Sequence, residues 1–213
     1  MQQLQNAVKR REVRKLEELG RTRLSEHFFL RDFLHSEVAQ VFGVLNAPDD
    51  PDLAIETGSR LCRELLEPLR SAFGDVRIRS GYRSSELNAL GNRLRLGCAK
   101  NESNFAGHIW DQRDAAGRAG ATATVVLPWL VDRVERGGDW RSMAWWIHDH
   151  LPYSYLCFYP KLTAFNIQWR EEPERRIMSW VNPKGLLTAS YMSNFQNDQS
   201  DFFSDFPRSG RVF

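Results

Sequence analysis

Six side chains in the middle of this chain are of types that ligate metals or move protons. They fall in two groups, His108, Asp111 and Asp114, then His148, Asp149 and His150. Hydrolysis at zinc needs three protein ligands, an open position for water and a carboxylate that takes the water's proton. His108, one of Asp111 and Asp114, and one of the later histidines would make a His/Asp/His set of that chemistry. On a helix His148 and His150 point apart, because residues two apart do not share a face. On a looser turn both can reach one centre. The competing reading is a plain helix end before Leu151-Pro152, where histidine favours the negative pole of the helix dipole.

Other chemistries find less support. The three cysteines, Cys62, Cys98 and Cys157, are odd in number and form no CxxC pair. That argues against a disulfide framework and against a thiolate zinc site, and it fits a reducing compartment. Cys157 lies in a buried-strand pattern and reads as core, not as a nucleophile. There is no GxSxG elbow and no Walker loop. A net charge of +2 gives no electrostatic reason to expect nucleic acid. No run approaches the roughly 18 apolar residues of a membrane span. Met1 to Lys15 is polar and basic and lacks the apolar run of a signal peptide. The expectation is therefore a cytoplasmic protein as synthesised, which would need lysis, a virion or a dedicated machine to reach a cell wall.

The elements that must position these residues read as helices first and strands later. Helical spacing of Leu4, Val8, Leu16 and Leu19 predicts a basic helix over 4–20. One helix is expected after Leu30 and an amphipathic one over 52–72, ended by Gly74. A strand over 75–79 precedes a helix over 84–94. A β-branched run at 121–127 predicts a buried strand, followed by helices at 129–136 and 140–148. Of the Trp145-Trp146 pair on the last helix, one is expected in the core. Strands are expected at 154–159, 164–169 and 175–180. This order predicts an α+β domain. Residues 1–23 form an N-terminal arm, 24–180 the domain, and 181–213 an extension. The extension carries Phe195, Phe202, Phe203 and Phe206, too many aromatics for a disordered tail, so it should lie along a surface. The basic arm and this tail are the expected contacts for protein partners.

Several segments, in order, resemble the zinc D-Ala-D-Ala carboxypeptidases and their phage endolysin relatives, which share the Hedgehog/DD-peptidase fold. Leu24-Ser25-Glu26-His27-Phe28 and Arg31-Asp32-Phe33 resemble that family's opening segment. Ser80-Gly81-Tyr82-Arg83-Ser84-Ser85-Glu86-Leu87-Asn88 is close to its SGYRSxxxN. Asn104 to His108 resembles the approach to its first zinc histidine, Gly120 to Pro128 its GxAxDIxVP strand, and Leu151-Pro152-Tyr153 and Ala164 to Trp169 its closing segments. The resemblance covers about residues 24 to 169 and implies an antiparallel sheet with helices packed around it.

Carried over residue by residue, it implies a site with most of its metal chemistry gone. The first histidine is His108, followed by an apparent insertion over 109–119. The ligand aspartate maps to Thr124, the catalytic base to Tyr159 and the last histidine to Asn166. A hydroxyl and an amide are poor zinc ligands, and a tyrosine is a poor base at neutral pH. Arg83 would hold a substrate carboxylate or carbonyl; otherwise it ties down its own loop. Ser80, Tyr82, Trp110 and Gln168 complete the expected cleft. The expectation is a non-catalytic binding or structural protein of a phage or bacterial assembly, without a cofactor. The alternatives are a zinc peptidase whose ligands have moved to Asp111, Asp114, His148 or His150, and a module that binds peptidoglycan without cutting it.

Overall fold

The computed structural model describes residues 13–207; residues 1–12 of the basic arm and 208–213 of the tail lie outside the described residues. The helices are residues 13–20 (α1), Arg31–Leu34 (α2), Glu37–Phe42 (α3), Pro51–Leu61 (α4), Glu67–Phe73 (α5), Ser85–Arg93 (α6), Pro128–Glu135 (α7) and Arg141–His150 (α8). The strands are Arg77–Ser80 (β1), Gly120–Val126 (β2), Tyr155–Phe158 (β3), Phe165–Arg170 (β4), Arg176–Ser179 (β5) and Gly185–Thr188 (β6). They make one six-stranded mixed sheet of order β1-β2-β4-β3-β5-β6, so the chain is α+β. Among the described residues no helix is long and apolar enough to cross a membrane.

The two-residue period of the strands sorts this sheet into an apolar and a polar face. Ala121, Ala123 and Val125 of β2, Phe165, Ile167 and Trp169 of β4, and Leu156 and Phe158 of β3 belong to one buried cluster with Leu61, Leu65, Met143 and Ile147 of the helices. The alternate residues Thr122, Thr124, Asn166, Gln168 and Cys157 fall on the opposite face. Register brings them into rows: Thr124 pairs with Asn166, which in turn pairs with Cys157. A row of polar residues across three strands is the floor on which a site can be built.

The helices depart from expectation at two places. The helix after Leu30 is two short ones, because His35 is extended (φ −67°, ψ 133°) and Ser36 starts α3 afresh, its hydroxyl accepting from Ala39 N at 3.3 Å. The long helix over 52–72 is interrupted by a π turn at Cys62–Leu66. Pro68 supplies the reason: it has no N–H, and its ring would crowd the carbonyl of Glu64 in a regular α-helix. Asp50 caps α4, accepting from Leu53 N at 3.1 Å, and Gly74 ends α5 at φ 83°.

The sheet is also not purely antiparallel. β3 lies between β4 and β5, and β5 pairs with β3 in parallel. A connection of only five residues, 171–175, turns the chain back from β4, so β5 must run opposite to β4 and hence alongside β3. β6, from the expected C-terminal extension, adds to the edge of β5. The rest of the described tail folds over α8. Phe206 packs edge-on against Phe73 and Trp129, at 5.4 and 4.8 Å between ring centres. With Phe202 and Phe203 beside it, both Trp145 and Trp146 are buried.

Candidate functional site

The open part of the polar face is a cleft of about 740 Å³, within the range of small-molecule sites. It brings together Arg83, His108, Thr124, Tyr159 and Asn166 and adds Lys161 to them. Thr124 and Asn166 come from neighbouring strands, Tyr159 from just beyond β3, Arg83 from the turn between β1 and α6, and His108 from the loop before β2.

The turn carrying Arg83 is held from behind by four residues. Gly81 has no room for a side chain: a Cβ there would lie 2.9 Å from the Phe33 Cα. Asn46 clamps the turn, donating to Tyr82 O at 3.0 Å and accepting from Ser84 N at 2.8 Å. Ser84 caps α6 through Leu87 N. Asn88, fully buried, donates to Ala99 O and to Asn101 Oδ1 and accepts from Asn104 Nδ2, which fixes the loop beneath Arg83. Arg83 N–H donates to His108 O at 2.8 Å, so the two loops are tied through their backbones. The Arg83 guanidinium donates to Cys98 Sγ at 3.4 Å, an ordinary length for sulfur, and lies at a long 3.5 Å from Asn88 Oδ1.

His108 is 6% exposed. Its Nδ1 donates to Gly81 O at 2.8 Å, which leaves the Nε2 lone pair for the cleft. Burial, with the nearby Arg83 charge second, pushes its pKa down to about 3, so the ring is neutral at physiological pH. On the floor, Thr124 Oγ1 donates to Asn166 Oδ1 at 2.6 Å, and Asn166 Nδ2 donates to Tyr159 Oη at 3.1 Å. Burial, reinforced by Cys157, raises the Tyr159 pKa, so the phenol keeps its proton. The set therefore offers one imidazole nitrogen, a hydroxyl and an amide bound to each other, and a protonated phenol. That donor set gives zinc a single imidazole ligand and no anionic one, and it contains no carboxylate base.

The other expected site residues are placed elsewhere. Asp111 Oδ2 accepts from Asp49 N at 2.7 Å and from Tyr82 Oη at 3.1 Å, in a buried position behind the cleft. Its Oδ1 is buried without a partner, and burial raises its pKa. Asp114 is bonded to Arg118 and Arg170. His148 Nδ1 lies 2.8 Å from Tyr153 Oη and its Nε2 2.9 Å from Phe195 O. His150 stacks on Trp146 at 4.7 Å. These four residues do not gather around His108, because each is spent on a structural contact. Among the described residues no group of three His, Cys, Asp or Glu side chains could hold a metal.

The 109–119 segment neither plugs the cleft nor rebuilds it. Its Trp110 turns inward, fully buried. Its indole N–H donates to Thr122 O at 3.1 Å, and Thr122 N–H donates to Gly107 O at 2.9 Å. This loop thus takes the place of β1 along the part of β2 that β1 does not reach. Gln168 donates to Ala106 O from beneath the same loop, and Tyr82 is buried as well. Ser80, like Trp110, Tyr82 and Gln168, is not among the residues that line the cleft.

The cleft contains two cations that sequence reasoning passed over, Arg79 on β1 and Lys161 on the turn that joins β3 to β4. Leu162 and Thr163 in that turn both have positive φ, 56° and 48°. Ala164 N–H returns to Lys161 O at 3.1 Å, which is the form of a type I′ hairpin turn. Neither Leu nor the β-branched Thr suits the left-handed region. The signal was therefore hidden, since the turn lacks the Asn-Gly that usually marks it. Leu162→Asn relieves one strained residue at an exposed position and should stabilise the protein by about 1 kcal/mol, or ~3 °C in Tm, in a thermal melt. An unchanged or lowered Tm would count against the left-handed turn.

No family model, curated protein or solved structure matches the chain.

Proposed function

We propose that this chain is a DD-peptidase-fold protein that no longer hydrolyses, and that it uses the old cleft to bind a ligand as a component of a phage or bacterial assembly. The observation that carries the reading is the Thr124–Asn166 hydrogen bond of 2.6 Å. It joins side chains at the two positions where the resembled family holds its zinc with an aspartate and a histidine. The neutral His108 beside them is the one remaining metal ligand, and the protonated Tyr159 at the base position supplies no carboxylate to take a proton from water.

What remains suits recognition. The cleft is open and polar-floored, and Arg83 lines it with only neutral partners, Asn88 and Cys98. A peptidase with relocated ligands is the weaker reading, because the residues that would do the work are committed elsewhere. Purified full-length protein supplied with zinc should release no D-Ala from a peptidoglycan stem peptide ending in D-Ala-D-Ala. Zinc-dependent release that is lost in His108→Ala would overturn the reading.

A further inference from the structure

The residues lining the cleft include Arg79, Arg83 and Lys161 and not one carboxylate. Arg79 is neutralised, its guanidinium 3.0 Å from Glu37. Arg83 and Lys161 have no carboxylate within ion-pair distance among the described residues, so two positive charges face the cleft uncompensated. Beside them stands the Tyr159 hydroxyl. Its oxygen already accepts from Asn166, so its proton has to be donated outward, with Cys157 the neighbour that competes with a ligand for it. A guanidinium fork, an ammonium with three donors and a phenol O–H form a donor set for an oxyanion with several acceptor oxygens. His108 adds the opposite polarity: nine-tenths buried and with Nδ1 spent on Gly81, it presents a lone pair that can only accept.

We propose that the cleft binds a phosphoryl dianion, the head group of a small phosphomonoester, with a neighbouring hydroxyl or amide N–H of the ligand donating to His108 Nε2. The inference rests on the reading of the cleft as a non-hydrolytic binding site. A phosphomonoester carries close to two negative charges at neutral pH and three terminal oxygens, which matches the two free cations and the phenol. A single carboxylate would engage only one of the two cations, whereas a phosphoryl dianion can meet both. The neutral floor of Thr124, Asn166 and Tyr159 then holds the ligand without attacking it.

The test is a calorimetric titration of the full chain at pH 7.5 and low salt with phenyl phosphate, methyl phenyl phosphate and benzoate. These share one ring and differ in head-group charge and shape. Inorganic phosphate as a fourth probe separates recognition of the head group alone from recognition of an ester. Phenyl phosphate should bind at least ~10-fold more tightly than the monoanionic diester or benzoate, since one added charge pair is worth that much in a partly buried site. Arg83→Gln should weaken it by ~10-fold or more, and Lys161→Gln, which removes an exposed cation, by ~3-fold. Lys161 is exposed, so its variant keeps the test informative should Arg83→Gln disturb the loop; a thermal melt of each variant monitors folding. Equal binding of all probes, no binding of phenyl phosphate, or binding that survives both substitutions would overturn the assignment. Tighter binding of benzoate would overturn it in favour of a carboxylate ligand. None of these outcomes touches the absence of hydrolysis, which the D-Ala release assay reads separately.

Discussion

Trp110→Ala should lower the unfolding free energy by about 3–5 kcal/mol, as large aromatic-to-alanine changes in a core do. The side chain is fully buried. Its ring lies 5.1 Å from Phe33 and 6.1 Å from Tyr82 between ring centres. Opposite it is Gly58, whose missing side chain makes the space: a Cβ there would meet the indole at 2.7 Å. Glycine has nothing to move into the cavity, so the site cannot collapse. The substitution also strips Thr122 O of the indole N–H, and a buried carbonyl left unpaired costs a further ~1–3 kcal/mol at most. Trp180, 59% exposed, is the control and should cost under about 1 kcal/mol on the same change. Urea unfolding of both variants gives the comparison. A loss below ~1 kcal/mol for Trp110→Ala would mean that the 109–119 loop is not a core element.

The second large effect is an acid instability that belongs to His108. In the unfolded chain an imidazole takes up a proton near pH 6.5; in the folded protein His108 does so only near pH 3. Between those values the unfolded state holds one more proton, so stability falls as pH falls, by about 1.4 kcal/mol per unit. Above pH 6.5 the residue adds no slope. His108→Gln deletes the titration. The gap between wild type and variant in unfolding free energy should therefore narrow by ~1.4 kcal/mol per unit as pH drops from 6.5 towards 4. The other shifted groups are present in both proteins and cancel from this difference. Parallel curves would show that His108 is protonated freely in the folded state and is not locked behind the Gly81 carbonyl.

How far the sequence could be read depended on the range of the interaction involved. The turn at Ser80 to Asn88 is legible where its parts are local, as with Ser84, a cap three residues before Leu87; the close approach of Phe33 that requires a glycine at 81 is a contact between distant segments. The floor is legible too, as alternation along single strands, Thr122 and Thr124 in one and Asn166 and Gln168 in another. Which of those four faces open space is not, since that depends on the loop over Thr122 and Gln168, a contact between distant segments. The fate of Asp111 and His148 was hidden for the same reason. Their partners Asp49 and Phe195 are chosen by tertiary packing, whereas His150 turns back one helical turn onto Trp146; an acid or imidazole committed to structure looks in sequence like one available for chemistry. The parallel pairing of β3 with β5 follows from a short connection once strand order is known, but nothing in the strands' own composition announces that order.

The most direct test of the account is to rebuild the metal site. If Thr124 and Asn166 occupy the two abandoned ligand positions beside His108, the double variant Thr124→Asp, Asn166→His should place a His/Asp/His set in the cleft. Elemental analysis after gel filtration without chelator, on protein incubated with zinc, should find about one zinc per chain in the variant and substoichiometric zinc in the wild type. One zinc per wild-type chain would show that the native cleft still holds the metal. A folded variant that binds none would show that the three positions do not converge as the account requires.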